Sequence, residues 1–271
     1  MPENARAGRI KFQFPPINEL VLGVHFSPIS ELKAQHIGMY WELIRERFGI
    51  CEQQFPHLQP IEGTPNQLSF PPGVLGEVFP LQRFWFRSEH SPLLIQVQRD
   101  AFWLNWRRVP EGEYPHFEAV AENFWEQFEV FCKFVQSIGG TLEAITLCDL
   151  TYVNLIGITA SESGNPEFGN VFPMIAAIGE TGTGGRELVG LNTLATYKLS
   201  ENLLIDVSAR LGRRVETNEL ALALELRARG TPEGYSFDGS KRWLDAAHDG
   251  TYGLFLALTT EKIQSEVWKH R

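Results

Sequence analysis

Side chains alternate between the two faces of an extended chain, and the run Leu93–Val109, LLIQVQRDAFWLNWRRV, shows that alternation twice. The pattern predicts a β-hairpin. Its strands are Leu93–Gln98 and Phe102–Val109, and its turn is Arg99-Asp100-Ala101. Leu93, Ile95 and Val97 share a face, and Phe102, Leu104 and Trp106 continue it. Gln96, Gln98, Asn105, Arg107 and Trp103 share the other. An antiparallel sheet commonly covers one face and wets the other, so this second face is expected outside. Amides, a guanidinium and an indole on rigid strands also suit a recognition surface, because aromatic and Arg side chains dominate binding hot spots.

A helix is needed to cover the apolar face. The segment His116–Ile138 supplies one, with Phe117, Val120, Phe124, Phe128, Phe131 and Val135 in a single stripe, closed by Gly139-Gly140. Extended runs are expected at Ile10–Phe14, Leu20–Phe26, Gln82–Ser88, Leu142–Ile158, Leu191–Leu199, Leu203–Leu211 and Leu220–Arg229. An earlier helix fits Glu31–Phe48, capped by Ser30, and a last one fits Lys241–Arg271, capped by Ser240 and bent near Gly250 or Gly253. Residues 50–80 read as a long irregular connection rich in Pro and Gln, with room for a short strand.

The predicted order is β–β–α–β–β–β–α–β–β–β–β–α. This is an α+β class with mainly antiparallel sheet and three long helices packed on it. A polar tail, 1–9, precedes two α+β halves, 10–139 and 140–271, packed as one globular unit. Each half ends in a long helix, which suggests duplication, although no residue-level repeat is visible. The alternative is a single curved sheet gripping a helix over a cavity.

Composition narrows the function. With 33 acidic against 24 basic residues the formal charge is −9, which argues against generic nucleic-acid binding. The short basic runs Arg45–Arg47, Arg107–Arg108 and Arg210–Arg214 read as solvated edges. Three Cys without CxxC spacing, and a start without an apolar signal core, predict reduced thiols and a cytoplasmic protein without membrane association.

No catalytic signature stands out. GETGTGGRE at 179–187 lacks the GK[ST] ending of a phosphate loop and reads as a hairpin tip. Ser30-Glu31-Leu32-Lys33 has Ser-x-x-Lys spacing, but a helix cap explains it. None of the seven His shows HExxH spacing, and neither metal nor cofactor is expected. Asp245, His248 and Asp249 form a weak cluster on the last helix. Asp149 is the odd carboxylate in an apolar strand and is expected to pair with Arg107 or another Arg. Tyr152 and Asn154, on that same strand, extend the proposed binding surface of Gln96, Gln98, Trp103, Asn105 and Arg107.

Five segments together, PPINELVLGVHFSP, WELIRERFG, LLIQVQRDAFWLNWRR, WLDAAHDG and the late Trp268, resemble a sporadically distributed, uncharacterised bacterial family over about Phe14 to Trp268. The most specific residues are Gln96, Arg99, Asp100, Asn105, Trp106 and Arg107. The resemblance brings no activity or catalytic residue. It implies a setting among mobile elements, defence islands or toxin–antitoxin-like loci.

The leading expectation is therefore a non-catalytic interaction protein, antitoxin-like or defence-accessory, whose partner is another protein or a second copy of itself. The alternatives are a small apolar-ligand binder with a helix-over-sheet cavity and an enzyme acting on nucleotides or nucleic acid through Arg107, Asp149 and His248.

Overall fold

The computed structural model describes residues 11–56, 81–110, 112–161, 165–176, 188–214 and 217–269. The tail 1–9, the Gly-rich run 179–187 and residues 57–80 of the Pro-rich connection lie outside them.

The class is α+β. Among the described residues nine strands are hydrogen-bonded in the order β2-β3-β4-β5-β1-β6-β9-β8-β7. They are β1 (Ile17–Phe26), β2 (Ile50–Gln54), β3 (Arg83–Arg87), β4 (Leu93–Gln98), β5 (Ala101–Arg107), β6 (Ile145–Gly157), β7 (Asn192–Ser200), β8 (Leu203–Arg213) and β9 (Leu220–Gly230). The ladders β2–β3, β3–β4, β4–β5, β7–β8 and β8–β9 are antiparallel. Among the described residues the long helices are α1 (Ala34–Ile44), α2 (His116–Ser137) and α3 (Phe237–Leu258). No helix among the described residues is long and apolar enough to cross a membrane.

The first difference from expectation is at the start. Pro15-Pro16 withholds two ladder donors, so the strand begins at Ile17, and among the described residues before it only Phe12 bridges. A five-residue strand, β2, then follows α1 and pairs with β3. Helix ends differ too. The Ser30 hydroxyl is taken by the Glu31 carboxylate at 2.7 Å, and α1 begins later, where His36 Nδ1 accepts the Lys33 amide. Ser236, not Ser240, caps α3 by accepting the Gly239 amide at 3.1 Å. The final helix stops at Leu258. A π-helical turn, Ile263–Val267, then seats Trp268 between Phe255 and Phe12.

Val21–Asp149 and Thr231–Trp243 make one compact unit. Its hairpin turn is tighter than expected: Gln98 pairs with Ala101, which leaves only Arg99-Asp100 in the loop. The turn is fastened to the end of β1 and the chain just after it: Phe26 donates to the Asp100 carbonyl and Ile29 to the Arg99 carbonyl, each at 2.9 Å. Helix α2 covers the apolar face as its stripe predicts. Phe102 of β5 lies 5.3 Å from Phe128 and 5.4 Å from Phe131, and Phe26 of β1 stacks on Phe128. Tyr40 of α1 meets Phe86, Phe131 and Phe134. Gly139, at φ +81°, ends α2, and the Gly140 amide donates back to the Val135 carbonyl.

The described residues of Met1–Leu20, Leu150–Gly230 and Leu244–Arg271 make the other compact unit. Here β8 alternates cleanly, with Leu203, Ile205, Val207 and Ala209 buried. Helix α3 lies on that face, and Gly250 permits close approach: a Cβ there would collide with Leu199 Cδ2. Gly250 thus marks close packing, and α3 runs through both Gly250 and Gly253 as one helix.

Candidate functional site

The hairpin's second face is not wet. Gln96, Gln98, Trp103 and Asn105 expose only 4–7% of their surface, and both faces of β4 and β5 are buried up to Trp106. Arg107 alone of that set is exposed. The expected outer surface is therefore an interior polar layer. Buried polar groups must find partners inside the protein, and these do. Gln96 Oε1 accepts from Arg83 Nη1 at 3.0 Å and Trp85 Nε1 at 2.9 Å. Its Nε2 donates to Asn105 Oδ1 at 2.6 Å. The two converging donors fix which end of the amide is oxygen. Gln98 Nε2 donates to Asp100 Oδ1 and so stiffens the turn.

A second buried group centres on Asp149 of β6. Its Oδ2 lies 2.7 Å from His25 Nε2 and accepts from Trp103 Nε1 at 3.2 Å. The carboxylate therefore sits on an imidazole and an indole, where Arg107 or another Arg was expected. The arrangement needs Gly23, two residues before His25 and on the same face. A Cβ at Gly23 would overlap the Trp103 indole and come within 2.8 Å of Asp149 Oδ1. Three strands thus bring four residues together, and no spacing in the sequence announces it.

Tyr152 and Asn154 are also interior. The Tyr152 hydroxyl and His248 Nδ1 are 2.8 Å apart, and Asn154 Nδ2 donates to the Leu224 carbonyl at 3.2 Å. Among the described residues no group of three His, Cys, Asp or Glu is placed to hold a metal ion.

The feature that faces outward is β7. Among the described residues it is the last strand in the order, and it runs for nine residues, NTLATYKLS. The Leu211 amide donates to the Leu191 carbonyl, so Leu191 and Leu211 form a hydrogen-bonded pair. Such pairs recur every second residue of an antiparallel ladder. Thr193, Ala195 and Tyr197 therefore bond to β8, through Ala209, Val207 and Ile205. Asn192, Leu194, Thr196 and Lys198 point their amides and carbonyls away from it. Their side chains are exposed as well, with Leu194 at 53%. Thr196 is held by Asp206, whose other oxygen takes Arg229 Nε, and Lys198 pairs with Glu201.

The opposite end of the order contrasts with this. Strand β2 has five residues, carries Glu52 in a 2.6 Å ion pair with Arg87, and is followed at once by Phe55-Pro56. Short length, charge and Pro are the usual defences of a sheet edge. Strand β7 has one charge, Lys198, and a bulge beside it, both at its far end; Asn192–Tyr197 has neither charge nor Pro. Comparison with family models, with characterised proteins and with solved structures gives no match.

Proposed function

We propose that this protein is a non-catalytic interaction protein, and that its partner protein adds an extended segment to the edge of β7 that no other described strand occupies. One observation carries the reading: an uncharged, proline-free stretch on a terminal strand turns a row of backbone donors and acceptors outward. Such a row is a template for another chain, in which backbone bonds supply affinity and alternate side chains supply specificity. The exposed Leu194, Leu199 and nearby Val189 offer apolar contact beside it. The amide and indole groups of the hairpin already satisfy one another, so they serve as a rigid frame. An antitoxin-like or defence-accessory role is the setting that the sequence resemblance suggests for such a protein.

The test is a photo-crosslinking amino acid placed at Leu194 in living cells, with the equally exposed Met39 of α1 as control. A discrete adduct from position 194 and none from 39 is expected. Adducts from both positions alike, or from neither, overturn the proposal.

A further inference from the structure

We infer that the partner strand is β7 of a second copy of this chain, paired antiparallel about Ala195. The inference rests on the strand-addition reading above and names the occupant. Its ground is self-complementarity. A two-fold pairing joins outward residues only to outward residues, which here are Asn192, Leu194, Thr196 and Lys198. One register uses all four: Asn192 opposite Lys198 of the second copy, and Leu194 opposite its Thr196. Four such pairs, with two bonds each, make about eight backbone hydrogen bonds across the junction. Shifting the register by two residues in either direction leaves one of the four unmatched at each end.

Side chains agree with this register. The strand's single charge, Lys198, falls against a neutral Asn192, so no like charges face each other. The two copies of Leu194 become diagonal neighbours, within reach of each other, and bury apolar surface that one copy leaves in water. The bulge between Lys198 and Ser200 ends the regular ladder just past the last pair used.

The register makes a sharp geometric statement. Ala195 sits on the two-fold axis in a non-hydrogen-bonded pair, where Cα atoms stand about 4.5 Å apart. That separation lies within the range a disulfide spans. Ala195→Cys, in a chain whose exposed Cys51 is changed to Ser, should oxidise to a covalent dimer; Lys198→Cys in the same background should not. Sedimentation of the unmodified chain should show a species of twice 30.7 kDa that dissociates on dilution. Leu194→Asp sets two carboxylates diagonally across the axis and should weaken that dimer tenfold or more. Leu194 is half exposed, so the fold tolerates the change.

A chain that stays monomeric to about 100 micromolar, between the micromolar and millimolar affinities of weak pairs, without Ala195→Cys crosslinking, overturns the inference. Amide exchange then separates the two ideas. Fast exchange at Leu194, Thr196 and Lys198 in that monomer leaves the edge open for a different protein. Slow exchange there closes the edge and removes the strand-addition reading as well. A dimer that crosslinks through Lys198→Cys and not Ala195→Cys also overturns the inference as stated.

Discussion

Gly23 and Trp103 are packed so that the indole occupies the space a Cβ on Gly23 would take. Glycine is required at this strand position by a neighbour's side chain, not by its own backbone angles. Gly23→Ala should therefore lower stability by about 1–3 kcal/mol, the usual cost of overpacking a filled interior. It should also move the indole off Asp149, which near-ultraviolet circular dichroism reports. A melting temperature equal to that of the parent would show that the indole has room to retreat.

Asp149 holds His25 and Trp103 together out of water. Removing one partner of a buried polar pair strands the other, at a cost of about 3–5 kcal/mol when charge is involved. Asp149→Ala should show a loss of that order in urea denaturation. His25→Leu combined with it should give a coupling of about 1 kcal/mol or more, because the two side chains form one unit. Strict additivity would mean that the 2.7 Å contact carries no energy.

Three changes on the central hairpin separate interior from surface. Trp106→Ala removes a buried ring and should cost about 3–5 kcal/mol. Gln96→Ala leaves Arg83, Trp85 and Asn105 without their shared partner and should cost about 1–3 kcal/mol. Arg107→Ala, at the exposed end of β5, should stay within about 0.5 kcal/mol. Denaturant midpoints in that order are the expected result. A Gln96 variant as mild as the Arg107 variant would contradict the interior polar layer.

Tyr40 presents the reverse case. Its hydroxyl is buried among Phe86, Phe131 and Phe134 and meets no hydrogen-bond partner among the described residues. Burial holds its ionisation far above the ordinary tyrosine range. A lone buried hydroxyl is a cost, so Tyr40→Phe should leave stability unchanged or raise it by about 1 kcal/mol. A clear loss of melting temperature would reveal a partner for the hydroxyl.

The three thiols should react in sequence. Burial pushes Cys132 and Cys148 up to about 12, so at pH 8 almost no thiolate forms at either. Burial, then the charge of Glu52, raises Cys51 less, and Cys51 is exposed. Because the thiolate is the nucleophile, a raised pKa slows modification at neutral pH. Cys51 should still label first, at a rate that climbs as pH passes 9. Peptide mass spectrometry after iodoacetamide treatment reads the order directly; prior labelling of Cys148 would show that β6 opens.

Periodicity is a local property, and what it governs was legible in the chain alone. The Phe stripe at 3.6-residue spacing placed α2, and period-two alternation placed β4, β5, β8 and β9, because each pattern states which side chains share a face. The apolar face of the hairpin, Phe102 and Trp106 included, follows from the same rule. Alternation says that two faces differ; it does not say that the polar one is wet. That depends on what the rest of the chain lays over it, so Gln96, Trp103 and Asn105 became interior partners only in the tertiary structure. The same holds for Asp149, whose partner His25 lies 124 residues away, and for β7, which is an edge because β8 alone pairs with it among the described residues. Burial and edges are set by long-range pairing, and no stretch of sequence contains its own neighbour.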